Sequence, residues 1–526
     1  MSIAITTRSY DNTRSGANTQ ETALTPSAIR AHGVKRLFTL SLPGDARGCE
    51  AQPLIVPRVK FADGSMHDVV YIATMANRVF AFDAHSGIQL WMVQLGTPIK
   101  SNTQIDQHLV NDHWGIVSTP VIDLQAGLIY ACAWTSPDGT PQSGQHCLHA
   151  LRLADGSAAH QPVNLEAVTS NPGHGLPVRR FRSAQRKQRA ALLLHHGTVF
   201  VAFDAVAESA GTTGGWLIAV DTGRFQVTAA WTSTSLGSGG GIGHSGGGPA
   251  ADVEGNIYVL TGSGDFDAVT DFGSSMVKLR YTPPRANGVA SITAVDWWTP
   301  SIDNGHTSGN GSAGPVLAPT IGAVLAANNN GMLYMGNMHS LGQTRPTDLA
   351  PINTSSNYAK LKTPPIFYTY YSGPRSLTHH LHGTPVLWKS AHHGLLHFCW
   401  GENGNLRAWG LAQSGLSTYL GCGAEVASGM PGGMISLSAD GDTDGVVWAS
   451  VPYTDANTGV SAGRFLAYDA ANIGKYSDGS GAIVRLWDSQ DWNWRFSHNK
   501  FNRPVVWNGR VFLPTYDGSV WVLGLA

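Results

Sequence analysis

Charge is scarce in this chain. Asp, Glu, Lys and Arg supply only 13% of the 526 residues and nearly cancel, leaving a formal net charge of -1, where globular proteins carry about 25% charged residues. Without a surplus of cationic side chains there is no electrostatic footprint for nucleic acid or for an anionic membrane surface, and neither is expected as a partner. No run of about 18 apolar residues occurs, so membrane insertion through a helix is not expected either. The opening residues, MSIAITTRSYDNTRSGANTQ, lack the basic start, apolar centre and small-residue cleavage site of a secretory signal. The chain therefore reads as soluble and without an address.

Cysteine is scarce too. Cys49, Cys132, Cys147, Cys399 and Cys422 are an odd number at wide spacing, with no CxxC and no adjacent pair, which argues against a disulfide framework or a zinc knuckle. Buried thiols are the preferred reading, with a Cys132–Cys147 bridge as the alternative. No G-x-S-x-G elbow, HExxH, P-loop or dinucleotide-binding fingerprint stands where its chemistry would need it.

What is abundant is glycine, 62 residues, set between short alternating segments. Val69 to Leu95 reads VVYIAT, a turn at MANR, VFAFDA, a turn at HSG, then IQLWMVQL, which is a β-meander. The unit recurs over Gly127–Gly156, Gly197–Trp231, Gly255–Pro300 and onward to GRVFLPTYDGSVWVLGLA at the C-terminus. Most units open on a short segment bearing proline: AQPLIVP, STPVIDL, GGGPAADV, AGPVLAP, HGTPVLW, PGGMISLS and RPVVWN, with RAALLL as an eighth start. Proline is tolerated at a strand's first residue because its missing N–H lies outside the ladder. A period of roughly 45–60 residues with four strands per unit predicts an all-β fold, a single eight-bladed β-propeller domain over residues 1–526. The last unit supplies three strands, so the lone strand near residues 37–44 is expected to complete its blade, with the blades running from about residue 51 to 526.

FAFDAHSGIQLW (Phe80–Trp91) resembles the tryptophan-docking repeat of the quinoprotein alcohol dehydrogenase-like propellers, in which Trp packs between blades and the turn Gly adopts positive φ. Trp91 and Gly87 match well, Gly156 and Gly223 in part, and Trp231, Trp298 and Trp487 fit degenerate copies. SYDNTRSGANTQETALTP, GGGIGHSGGGPAADVEGNIYVLTGSGDFD, HLHGTPV, WGENGNLRAW and MPGGMISLSADG resemble, more specifically, a bacterial group with PQQ-like repeats and no agreed activity. Members of that group look exported, to periplasm or medium, which this N-terminus does not explain; the compartment stays open. The PQQ-dependent dehydrogenases of the family carry an adjacent cysteine pair, a Gly-Asn-Pro whose Asn ligates calcium, and a Trp beneath the quinone. Here there is no such pair, and the matching positions hold Gly262, Ser263 and Gly264, and His244, Ser245 and Gly246. Serine is the poorer ligand for a hard cation. Bound PQQ is not expected; a metal ion remains open as a cofactor.

In a propeller the starts of the innermost strands converge on the axis, where ligands bind. The residues ahead of those starts are His113 and Trp114; Gln185, Arg186 and Arg189; His244; His306 and Asn310; His380 and His382; Lys500, Asn502 and Arg503. Clustered neutral imidazoles could ligate a transition metal. Equally, a histidine base beside Arg or Lys suits proton abstraction or hydrolysis on an anionic substrate such as a uronate. The plainest alternative is that these histidines cap backbone groups. The expected site is an axial pocket for a small polar or anionic molecule, carbohydrate included. His244, His382 and His113 are the candidate catalytic residues, and Trp114, Arg189, His306, His380, Lys500 and Asn502 bind. Any chemistry there is expected to be non-redox, of lyase or hydrolase type. Asp265, Asp267 and Glu402 are weaker metal candidates, with Glu402 and Asn403 also readable as a hairpin turn. The glycines at 237–241 suggest a loop that approaches a ligand closely. A PQQ-dependent dehydrogenase and a non-catalytic scaffold for a protein partner are the competing functions.

Overall fold

A computed structural model of the chain describes residues 3–171, 176–206, 214–284, 289–299, 312–327, 331, 333–343, 380–412, 417–475 and 481–526. Their strands fall into successive antiparallel meanders. The first sheet is Leu54–Lys60, Met66–Ala73, Arg78–Asp83 and Gln89–Gln94; the second runs from Val121–Asp123 to Val163–Asn164; the third from Leu193–His195 to Gln226–Thr232; the fourth from Ala250–Ala251 to Ser291–Trp298. A fifth begins at Val316–Ala318 and has three described strands; the sixth meander starts at Val386–Ser390 and the seventh at Met434–Asp440, the two joined into one larger sheet where Ser417–Val426 pairs in parallel with Gly481–Asp488, and the eighth starts at Val505–Trp507. Pro53, Pro120, Pro249, Pro315, Pro385 and Pro504 each stand one residue before a first strand, where the missing N–H costs no ladder bond.

The eighth sheet takes its fourth strand from the other end of the chain. Val34–Ser41, three residues earlier than the sequence suggests, pairs antiparallel with Ser519–Leu525. The eighth sheet's Val505, Trp507 and Phe512 then share one apolar cluster with Tyr71 and Phe80 of the first. Neighbouring sheets interlock through the docking repeat. The Trp91 indole N–H donates to the Leu153 carbonyl of the second sheet at 3.0 Å, and its ring lies where a Cβ on Gly156 (φ +71) would come within 2.7 Å. Phe38 of the closing strand stands in the same relation to Gly87 (φ +74) of the first sheet. Glycine is required at both positions twice over, for the positive φ and for the ring.

The N-terminal segment does what no periodicity announces. Ile5 pairs in both directions with Ile55 at 2.7 and 3.0 Å, and the carbonyls of Thr6, Asn12, Thr13, Ser15 and Gly16 accept N–H bonds from Ile122, Ala251, Leu317, Leu387 and Leu437. The Asn12 amide reaches the Leu194 carbonyl at 2.9 Å, and the Tyr10 hydroxyl accepts the Val506 N–H at 2.8 Å. One strap, from Ile5 to Gly16, thus touches the first strand of each of the eight meanders among the described residues. Arg14, fully buried, donates to Pro249, Leu192, Arg8 and the Thr7 hydroxyl at 2.7–3.1 Å. The first strands of the sheets are thus bound to one another through this polar strap.

None of the five cysteines is in a disulfide, and Cys132 and Cys147 are on neighbouring strands without an S–S bond. Burial raises the pKa of Cys49, Cys132, Cys147 and Cys399, which keeps them inert. No helix among the described residues is long and apolar enough to cross a membrane.

Candidate functional site

Three segments that precede first strands meet around one aromatic ring. Phe501, held at φ +62, has the Arg189 guanidinium 4.7 Å and the Lys500 ammonium 5.9 Å from its ring centroid, and the His382 imidazole 5.7 Å away in an edge-on contact. Arg189 also lies 5.0 Å over Trp114, which Lys187 covers at 5.2 Å. Cations held over aromatic faces keep part of their attraction when water is displaced.

Behind Arg189 is Glu50, 1% exposed. Its carboxylate receives the Arg189 guanidinium, the Tyr516 hydroxyl and, at 2.9 Å, the Asn111 amide. Burial and then the Glu50 charge push the Tyr516 pKa far up, so the phenol stays a donor. Burial lowers the Lys500 pKa and Arg189 adds to this, while Glu50 opposes both. A buried ammonium of this kind is stabilised by any further anion that enters.

On the other side of Phe501, Glu402 (2% exposed) lies between two imidazoles: His382 Nε2 is 3.0 Å from one oxygen and His380 Nδ1 3.4 Å from the other. The HLH spacing places both rings on one side of an extended segment, and the Glu402 N–H donates to the His380 carbonyl at 3.0 Å. Among the described residues this is the group of three side chains able to ligate a metal, all ligand atoms lying within 4.8 Å of one another.

Arg189, Trp114, Lys500, His380 and His382 are therefore brought together, and Glu402 joins them from its hairpin. The others are placed elsewhere. His244 is fully buried, and its Nε2 meets the Leu260 carbonyl at 2.9 Å and the Leu260 N–H at 3.1 Å; burial lowers its pKa to about 4. It fastens a turn and presents no face to the pocket. His113 and Trp114 form a two-residue strand, so His113 points away from the Trp114 side, toward the field of Asp45. The Asn502 amide braces the loop carrying Glu50, donating to Ala51 at 2.9 Å and Cys49 at 3.3 Å. Asp265 accepts Ser238, and Asp267 accepts the N–H groups of Val269, Thr270 and Asp271, so both carboxylates fasten loops away from the group around Phe501. The glycines at 237–241 approach their own chain: Gly240 N–H donates to the Ser263 carbonyl at 2.8 Å. His306 lies outside the described residues.

Sequence reasoning passes over Glu50, Phe501 and Tyr516. Glu50 stands just ahead of Pro53 and obeys the same positional rule, so the sequence does carry its signal; Tyr516 lies in a far hairpin and has none.

At the positions that the resemblance matches to the calcium ligand and the quinone's Trp, the Ser263 carbonyl accepts the Gly240 N–H at 2.8 Å, a Cβ on Gly264 would meet the carbonyl carbon of Gly239 at 2.7 Å, and His244 is bonded to Leu260.

No family model and no curated protein matches the sequence. Solved structures do. A quinohemoprotein alcohol dehydrogenase from Pseudomonas putida HK5 matches with a TM-score of 0.55 at 14% identity, over 99% of this chain and 80% of its own. The quinohemoprotein alcohol dehydrogenase from Comamonas testosteroni matches with the same figures. A europium-containing methanol dehydrogenase matches with a TM-score of 0.51 at 12% identity, over 99% of this chain and 98% of its own. At such identities the likeness is one of architecture alone, and together with the meanders it identifies the chain as an all-β protein with the quinoprotein alcohol dehydrogenase-like β-propeller fold.

Proposed function

We propose that the eight meanders are the blades of one eight-bladed domain closed by Val34–Ser41, and that the recess around Phe501 binds a small anionic molecule, with uronate-type carbohydrates as the leading class. The observation that carries this reading is the placement of Arg189 and Lys500 over one ring, with the buried Glu50 paired to Arg189 and acting on Lys500 through its field, to which the more exposed Asp106 and Asp455 add. Glu50 is the one buried carboxylate of this set, which leaves the two cations the capacity to bind a further anion, and Arg offers it a planar fork. Trp114 and Phe501 supply faces on which a sugar ring can stack. The chemistry this set supports is non-redox, elimination or hydrolysis, with the His382–Glu402 pair as the proton-accepting centre.

Calorimetric titration with glucuronate and with glucose tests it. The acid is expected to bind more tightly than the neutral sugar. Arg189→Met is expected to weaken the acid about 10- to 150-fold, the equivalent of about 1.5–3 kcal/mol for a charged hydrogen bond. Equal affinities for acid and neutral sugar, or acid binding indifferent to Arg189→Met, would remove the reading.

A further inference from the structure

We propose that His380, His382 and Glu402 form a divalent transition-metal site of catalytic type, with zinc as the preferred ion and a coordination position open toward the Phe501 recess. Two imidazoles and one carboxylate are a borderline donor set, suited to zinc and its neighbours and not to calcium or magnesium, which take oxygen ligands. The spacing comes near. Metal–ligand bonds of about 2.0–2.1 Å in a tetrahedron put the donors about 3.3 Å apart; here one Glu402 oxygen stands 3.0 Å from His382 Nε2 and the other 3.4 Å from His380 Nδ1, with all ligand atoms within 4.8 Å of one another, so a metal would draw the three groups slightly together. Three protein ligands leave a fourth position for water or substrate, the arrangement of catalytic and not of structural zinc.

The supports of the site point the same way. Glu402 is tied to His380 through the backbone, and its hairpin is held by the Trp400 indole donating to Gly404 at 2.7 Å. Gly432 and Gly433 press on this hairpin so closely that a Cβ on either would come within 2.7 Å of residues 400–401. On the far ring nitrogen of His382, Nδ1, sits the Ser245 hydroxyl at 3.5 Å, the position of an outer partner that orients a ligating imidazole. Ser245 and His244 both adopt positive φ, a cost met where the surroundings fix the turn, and the His244–Leu260 contact fixes it. His244 is thus a positioning residue for Ser245 and, through it, for His382.

The inference rests on the pocket reading only for its purpose. A metal at this place would occupy the lone pairs of His382 and Glu402 and so take the proton-accepting role from that pair: it would polarise the bound anion and lower the pKa of a bound water, and the hydroxide left once that water gave its proton to solvent could accept the substrate's proton. Its existence needs no anion, and the two can fail separately.

The experiment is zinc binding by the full-length protein, stripped with chelator and titrated with Zn²⁺ alone, with elemental analysis for stoichiometry. One ion per chain is expected. Glu402→Gln, close to isosteric, and His382→Ala are each expected to weaken it by more than the roughly 10- to 100-fold that loss of an outer partner costs, and Ser245→Ala by that smaller amount. Cobalt in place of zinc is expected to give the visible absorption of a four- or five-coordinate centre, lost in Glu402→Gln. Absence of stoichiometric binding in the wild-type chain overturns the proposal, as does zinc binding unchanged in both ligand variants. Either result would leave His380–Glu402–His382 as a hydrogen-bonded brace, whatever the uronate titration shows.

Discussion

Arg8 donates from Nη2 to the carbonyl of Phe501 at 2.6 Å, across 493 positions of the chain. The N-terminal strap therefore does more than bind the first strands together. It holds, in a left-handed conformation, the one residue whose ring is shared by Arg189, Lys500 and His382. Ring architecture and recess geometry are coupled through the N-terminal segment.

The strap's stabilising role is testable at Arg14. Its guanidinium satisfies three carbonyls and one hydroxyl, all buried, and each acceptor left without a donor costs about 1–3 kcal/mol. Arg14→Leu is expected to lower the thermal midpoint strongly, by the equivalent of at least about 3 kcal/mol. A midpoint indistinguishable from wild type would show that the sheets hold together without the strap.

Docking between sheets should be equally sensitive. Gly156→Val forces a β-branched side chain into positive φ and against the Trp91 ring, while Trp91→Ala removes that ring and the donor to Leu153. The second change is expected to cost about 3–5 kcal/mol. The pair should be strongly non-additive, because both changes disrupt one contact. Additive losses in denaturant titrations would mean that Trp91 and Gly156 stabilise the fold independently.

Stability should fall in mild acid. His146, His397 and His498 are buried with pKa values lowered to about 3, and His244 to about 4, in each case chiefly by burial. All four are neutral when folded and gain protons near pH ~6.5 when unfolded. Their contribution is complete above pH ~6.5 and is lost as pH drops below it, by up to about 1.4 kcal/mol per pH unit for each histidine. His397 stacks on Trp409 at 4.8 Å, so His397→Phe keeps the stack. Unfolding free energies measured from about pH 8 to about pH 5 should then lose one proton's worth of slope. An unchanged slope would contradict the assignment.

Most of the framework is legible in the sequence because its signals are local. Prolines 53, 120, 249, 315, 385 and 504 mark first strands to within one residue, since a missing N–H is tolerated at a strand's start, and FAFDAHSGIQLW specifies both the turn glycine and the docking indole. The strap is not legible. Its partners are backbone groups far along the chain, and its own side chains have no period. In the recess, position ahead of a first strand locates the backbone but not the side-chain direction. His244 and His382 satisfy the same rule, yet positive φ at His244 and Ser245 turns one ring into the sheet and offers the neighbouring hydroxyl to the other. Adjacent His113 and Trp114 diverge for the simpler reason that strand side chains alternate.

Glu50 gives the sharpest test of how the recess works. Its carboxylate is the partner of Arg189, so an incoming anion must share that guanidinium. Tyr516 and Asn111 also bond Glu50, and both would still find an acceptor in the amide oxygen introduced by Glu50→Gln, so the substitution removes charge more than shape. If Glu50 serves to neutralise Arg189 and Lys500 until a ligand arrives, its loss leaves both cations uncompensated in a buried setting, and an anion entering gains more. Glucuronate affinity is then expected to rise, by about tenfold, the equivalent of about 1.4 kcal/mol, while affinity for glucose does not. Weaker glucuronate binding in Glu50→Gln would instead mean that the carboxylate contacts the sugar directly, and that Arg189 is held in place by Glu50 and not made available by it.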